Sequence, residues 1–109
     1  MIIEVRNYRV QAGRRAEFIR FFETKVLPAL HAHGIRVVGP LLDQENPNKF
    51  IWLRAFASLA EREHRNTAFY ASEVWTKELE PTAMSMLSGY DFTLCESSAG
   101  SVSTISMTA

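Results

Sequence analysis

The sequence has only one cysteine, Cys95, among its 109 residues, so the chain cannot form an internal disulfide. A lone thiol fits a reducing compartment, and we therefore expect a cytoplasmic protein. No apolar run approaches the length of about 18 residues that a transmembrane helix needs. The chain also shows no secretory leader pattern, so no membrane association is expected.

An excess of charge of either sign is also missing. Twelve Lys and Arg residues balance twelve Asp and Glu residues. No run of five or more basic residues occurs, so a nucleic-acid partner is not expected. The sequence lacks a phosphate-binding glycine loop, a zinc-ligand spacing and a nucleophile elbow. We therefore expect no metal and no cofactor, and whether the protein is an enzyme is left open.

What the chain does contain is a regular succession of strand and helix patterns. Alternation of apolar and polar residues predicts four strands, at Ile2–Val10, residues 35–43, Lys49–Phe56 and residues 90–96. Apolar residues at spacings of three and four predict one helix over residues 15–33 and another from Ser58 onward. The order β-α-β-β-α-β predicts an α+β, ferredoxin-like protomer over residues 1–96.

Residues 97–109 form an uncharged, low-complexity tail beyond this domain. Its composition alone is typical of a disordered segment. We expect it to be ordered by contact with the body of the protein or with a partner chain. The sizeable apolar residues that would make this contact are Val102, Ile105 and Met107.

The third strand carries aromatic and charged residues on one face. Phe50, Trp52, Arg54 and Phe56 alternate with smaller apolar residues. Both helices of a ferredoxin-like fold cover one face of the sheet. We expect the aromatic row, together with Tyr8, to lie on the other face, where a second copy of the sheet would cover it. A homodimer is therefore predicted.

A candidate ligand site follows from the polar residues of the same strands. Two arginines, a carboxylate and a phenol under aromatic side chains suit a small anionic or aromatic molecule. A pocket between sheet and helices is predicted, with these candidate residues: Glu4, Arg6, Tyr8, Trp52, Arg54, Arg62 and Trp75. The alternative is an internal ion-pair network in a non-catalytic scaffold that recruits a protein partner.

Several short segments in this order resemble the NIPSNAP family. They are Glu4-Val5-Arg6-Asn7-Tyr8, Ala12-Gly13-Arg14, Val38-Gly39-Pro40, Phe50-Ile51-Trp52-Leu53-Arg54-Ala55-Phe56, Leu59, Glu61-Arg62 and Trp75. The resemblance covers about residues 1–96. It implies a dimeric α+β barrel, in which two ferredoxin-like sheets close face to face.

Overall fold

The computed structural model describes residues 1–98 as four β-strands and two helical regions. The strands are β1 (Ile2–Val10), β2 (Arg36–Leu42), β3 (Lys49–Phe56) and β4 (Leu87–Glu96). One helical region joins β1 to β2 and the other joins β3 to β4, which confirms the predicted order. The contacts predicted for Val102, Ile105 and Met107 lie outside the described residues.

The strands form one antiparallel sheet in the order β2-β3-β1-β4, so β1 is central and β2 and β4 are the edges. The register places Glu4 of β1 opposite Arg54 of β3. Two residues further along, Arg6 lies opposite Trp52 on one side and Phe92 of β4 on the other. Residues directly opposite each other share a face of the sheet, so the predicted grouping of these side chains is confirmed.

The first helical region contains α1 (Arg15–Phe21), a π-helical segment (Phe22–Val26) and α2 (Leu27–Ala32). The second contains α3 (Leu59–Ala71), another π-helical segment (Val74–Leu79) and α4 (Glu80–Met86). No helix within residues 1–98 is long and apolar enough to cross a bilayer.

Each π-helical segment directly precedes a helix that has a proline in its first two positions. The prolines are Pro28 and Pro81. A proline has no N–H, and its ring collides with the carbonyl four residues earlier, so a regular α-helix cannot pass through it. A wider turn before the proline relieves that collision, and the chain continues as one helical region.

The helix α3 begins with a capping box at Ser58, where the sequence predicts that the second helix starts. The Ser58 Oγ accepts a hydrogen bond from the Glu61 N–H at 3.1 Å. The Glu61 carboxylate in turn accepts a hydrogen bond from the Ala57 N–H. These contacts satisfy backbone donors that have no partner inside the helix, and they fix where α3 starts.

The aromatic row of β3 lies under the helices, not on the face opposite to them. Phe50, Trp52 and Phe56 are at most 1% exposed. The Phe50 ring lies 4.9 Å from the ring of Phe18 and 5.1 Å from that of Phe22. The prediction that this row forms a dimer interface is therefore wrong, because the aromatic residues of the first helical region pack on it and make the protomer's own core.

The opposite face of the sheet is mainly aliphatic at its centre. We call it the helix-free face, because both helical regions pack on the other side. It includes the alternate residues Ile3, Val5, Asn7, Val38, Leu41, Ile51, Leu53, Ala55, Thr93 and Cys95, with the charged residues Arg9, Arg36, Lys49 and Asp91 at the ends and edges of the sheet. At its centre, Val38, Leu53 and Val5 lie side by side across three strands. This is the face on which a second sheet could pack.

The edge strand β2 is interrupted at Gly39 and Pro40. The pairing with β3 shifts register between Val38 and Leu41. Gly39 has a φ of 116°, and a Cβ there would lie 3.1 Å from the Cβ of Trp52. Only glycine adopts this conformation readily and permits such a close approach. The Gly39-Pro40 pair therefore interrupts the regular pairing of β2 with β3.

Candidate functional site

Glu4 lies at the centre of a buried polar cluster, and its side chain is fully buried. Its Oε1 accepts a hydrogen bond from Arg6 Nη1 at 2.6 Å. Its Oε2 accepts from Arg62 Nε at 2.7 Å and from Asn66 Nδ2 at 2.8 Å. Arg54 Nε is 4.0 Å from Oε1, which is within ion-pair range but beyond hydrogen-bond distance. We call these five residues the Glu4 cluster.

One face of α3 supplies the helical half of this cluster. Arg62, Asn66 and Tyr70 follow one another at intervals of four, so they lie on one side of the helix. The first two reach Glu4. The Tyr70 hydroxyl accepts a hydrogen bond from Arg54 Nη2 at 2.7 Å. Asn66 and Tyr70 were not predicted as site residues, although their spacing from Arg62 was a usable signal.

The cluster contains three guanidinium groups and one carboxylate. Burial by itself would raise the pKa of Glu4. The charges of Arg54 and Arg6, with hydrogen bonds from Asn66 and Arg62, outweigh burial and hold that pKa below its ordinary value of 4.5. Glu4 is therefore ionised at neutral pH, and it balances only one of the three positive charges.

The two terminal nitrogens of Arg54 are held by protein groups. Arg54 is 2% exposed, and its Nη1 donates to the Asn66 Oδ1 at 2.9 Å. Its guanidinium lies 4.7 Å from the centre of the Trp52 ring, a cation–π arrangement. Arg54 therefore joins β3 to α3 through its terminal nitrogens. That it also contacts a ligand stays a prediction.

A cleft of about 560 Å³ opens beside the Glu4 cluster, between the sheet and the second helical region. Arg6 and Arg62 contribute positive charge to its lining. Its aromatic walls are Tyr8, Tyr70, Trp75, Tyr90 and Phe92. Glu63 and Glu80 also line it, and both are exposed to solvent. The cleft thus combines one buried and one partly exposed cation, flat apolar walls and acidic groups on the solvent side.

The cleft includes some of the predicted site residues and leaves others behind its wall. Four line it, namely Arg6, Tyr8, Arg62 and Trp75. Three are at most 2% exposed and are absent from its lining, namely Glu4, Trp52 and Arg54. Tyr90 and Phe92 were missed, although alternation along β4 places them opposite Tyr8 and Arg6. That Arg6, Tyr8, Arg62 and Trp75 bind a ligand stays a prediction.

The cleft offers binding groups more clearly than a pair of groups for proton transfer. Among the described residues, no histidine and no cysteine lines it. Glu4 is fully buried and already ionised, with three side chains bonded to it, so it is poorly placed to take a proton from a ligand. Within residues 1–98, no three His, Cys, Asp or Glu side chains meet as a metal site would require.

A four-stranded antiparallel sheet, two helical regions on one face and a charged cleft between them define a ferredoxin-like α+β protein with a cleft of ligand size. The family model for NIPSNAP matches residues 3–94 of the chain. The chain therefore belongs to the NIPSNAP family, and the resemblance drawn from its short segments is confirmed. A comparison with curated proteins found no match.

Solved structures of other NIPSNAP proteins have the same fold. An uncharacterized NIPSNAP domain protein from Burkholderia xenovorans is 20% identical, with a TM-score of 0.84, over 92% of this chain and 97% of that one. A NIPSNAP family protein with unknown function from Agrobacterium tumefaciens is 22% identical, with a TM-score of 0.84, over 93% and 91%. An antibiotic biosynthesis monooxygenase is 12% identical, with a TM-score of 0.67, over 90% and 99%. At these identities the likeness shows the fold alone.

Proposed function

We propose that this NIPSNAP protein binds a small anionic molecule with a flat apolar part in the cleft. The observation that carries the proposal is the charge imbalance of the Glu4 cluster. Three guanidinium groups surround one carboxylate, and two of the three line the cleft. An excess of buried positive charge is costly unless an anion offsets it. A ligand carboxylate would provide that anion.

The arginines retain donors for such a ligand. Within residues 1–98, the hydrogen bonds of Arg62 use only its Nε, and those of Arg6 use its Nε and Nη1. The two terminal nitrogens of Arg62 and the Nη2 of Arg6 are therefore available. A guanidinium presents its donors as a planar fork that matches the two oxygens of a carboxylate.

The side chains that line the cleft indicate the chemistry of the remaining part of the ligand, beyond its carboxylate. Tyrosine and tryptophan side chains offer flat apolar surfaces with one polar tip each, which suits an aromatic or similarly flat molecule. A volume of about 560 Å³ is typical of small-molecule sites. Glu63 and Glu80 would repel a second negative charge near the solvent, so the ligand should be anionic at one end only.

The substitution Arg62→Met tests this proposal. We expect benzoate, phenylacetate or 3-phenylpropanoate to bind the unmodified protein, as measured by calorimetry. Arg62→Met should weaken that binding about 10–100-fold, since a hydrogen bond to a charged group contributes about 1.5–3 kcal/mol. The methionine keeps most of the side-chain volume but removes the charge and every donor.

Arg65→Met is the matched control on the same helix. Arg65 pairs with Glu61 and donates to the His33 carbonyl, and it does not line the cleft. Its loss should leave affinity unchanged. The proposal fails if none of the three carboxylates binds, or if Arg62→Met binds them as well as the unmodified protein does. The first result would favour the alternative of a non-catalytic scaffold for a protein partner.

We also propose that two copies pair through the helix-free face. Apolar side chains fill its centre, where Val38, Leu53 and Val5 are only partly covered in the single chain. Four strands about 4.8 Å apart and about eight residues long form a sheet with a flat area of roughly 500 Å². The surface of the protruding side chains adds to this area. The total approaches the roughly 800 Å² per partner of a stable interface. A two-fold axis would bring the same apolar centre from each copy together.

Leu53→Arg should convert the dimer to a monomer, as measured by light scattering at micromolar concentration. It would place two charges at the centre of the interface, while in one copy the partly exposed side chain could reach water. Leu59→Arg is the control, because Leu59 is 57% exposed on α3 and lies away from this face. A monomeric unmodified protein, or a dimer that survives Leu53→Arg, would refute the proposal.

We propose the cytoplasm as the location. The support is the lone cysteine, Cys95, which suits a reducing compartment.

A further inference from the structure

A second, much smaller cavity lies next to the cleft. We call it the inner cavity. It has a volume of about 20 Å³, enough for one small atom group, and its lining includes Trp52, Arg54 and Phe69. Tyr8, Trp75 and Met84 line both the cleft and the inner cavity. These three side chains therefore border both spaces.

Two side chains that line the inner cavity each have a buried donor with no acceptor. Within residues 1–98, neither the Trp52 Nε1 nor the Arg54 Nε makes a hydrogen bond. Trp52 is 1% exposed and Arg54 is 2% exposed. Buried donors of folded proteins nearly always have a partner, and an exception needs a specific explanation. The nearest carboxylate oxygen, on Glu4, is 4.0 Å from the Arg54 Nε.

From these observations we propose that the inner cavity receives a neutral oxygen acceptor of the ligand, such as a ketone carbonyl, bonded by Trp52 Nε1–H and Arg54 Nε–H. This inference rests on the proposed function, because it gives the ligand of the cleft a second polar group. The other lining side chains are mostly apolar, so they exclude a charged group but accept a carbonyl carbon.

The distance between the carboxylate site at Arg6 and the oxygen site at Trp52 narrows the choice of ligand further. The Arg6 guanidinium centre lies 5.5 Å from the centre of the Trp52 ring. A carboxylate held at Arg6 and an oxygen bonded to Trp52 would therefore belong to neighbouring parts of one small ligand. This points to an oxo acid whose ketone is near its carboxylate. Met84, which is 40% exposed and has a flexible side chain, can move to admit it.

Two pairs of compounds that differ only in a ketone test the inference. The first pair is 3-phenylpropanoate and 2-oxo-3-phenylpropanoate, and the second is 4-phenylbutanoate and 4-oxo-4-phenylbutanoate. We expect at least one ketone to bind about tenfold more tightly than its partner, as is typical of a buried hydrogen bond. Calorimetry on the full chain measures this difference.

The two tryptophans of the chain provide a second readout that needs no substitution. In a ¹⁵N-resolved NMR spectrum of the full chain, the favoured ketone should move the Trp52 indole N–H signal to lower field. Its partner without the ketone should not. Trp52→Phe identifies that signal by its loss and should remove the tenfold preference. It should leave the affinity for the compound without the ketone almost unchanged.

The outcomes separate the two proposals. Equal affinities within both pairs, or an unmoved Trp52 signal, would overturn the inner-cavity inference while the proposed function stands. A ketone preference that survives Trp52→Phe would also overturn it. If none of the four compounds binds while benzoate or phenylacetate does, the inference alone fails. If benzoate and phenylacetate do not bind either, the proposed function fails, and the inference fails with it.

Discussion

Glu4→Gln should lower the free energy of unfolding by about 3–5 kcal/mol, the usual effect of removing one partner of a buried ion pair. The glutamine would retain the shape of Glu4 but leave three guanidinium groups with no carboxylate among them. Most domains have only about 5–15 kcal/mol of stability. Urea unfolding at neutral pH measures the change.

Glu17→Gln is the control for this prediction. Glu17 also pairs with an arginine, Arg14, but both side chains are exposed. Solvent screens an exposed pair, so Glu17→Gln should change the free energy of unfolding far less than Glu4→Gln. Similar effects of the two substitutions would contradict the view that buried positive charge makes Glu4 indispensable.

The pH dependence gives an independent check on the same residue. The pKa of Glu4 in the folded state lies below its ordinary value of 4.5. A carboxyl group of this kind adds stability that is present above the unfolded-state pKa. That stability is lost as the pH falls through the folded-state pKa. The stability difference between the unmodified protein and Glu4→Gln should therefore be largest above about pH 5 and shrink in acid.

Trp52→Ala should destabilise the protein by about 3–5 kcal/mol, as other large-to-small changes of buried aromatic residues do. The indole is 1% exposed and packs against Phe22, with the ring centres 4.9 Å apart. It also stacks on the Arg54 guanidinium. Calorimetric or denaturant unfolding measures the loss.

This prediction distinguishes the core from the proposed interface. Trp52→Ala should unfold each protomer more easily without weakening the association of folded copies, because Trp52 lies on the helix side of the sheet. Leu59→Ala, at a position 57% exposed, should change stability by no more than about 0.5 kcal/mol. A folded Trp52→Ala protein that has become monomeric would contradict the assignment of the faces.

The sequence predicted the elements of the fold and their grouping well. Alternation in β1 and β3 correctly placed Glu4, Arg6 and Arg54 on one face, because the period of a strand is two. The Ser58 capping box marked the start of α3 within one residue. These features depend on local chemistry, which short segments of sequence contain.

The sequence pattern does not show which side of the sheet the helices cover. Alternation shows which residues share a face but not what lies above it. The deciding contacts join residues far apart in the chain, such as Phe18 with Phe50 and Asn66 with Glu4. The sequence therefore grouped the candidate residues on one face of the sheet but did not show which of them line the cleft.

The interrupted edge strand β2 affects how the protein behaves at high concentration. An edge strand can act as a template on which another chain adds a strand, the first step in many aggregation processes. Pro40 offers no amide donor in β2, and the register shift beside it breaks the regular row of backbone groups. The other edge, β4, runs for ten residues and contains no proline. Uncontrolled strand addition should therefore begin at β4, so a charged or proline substitution there would improve solubility more than one in β2.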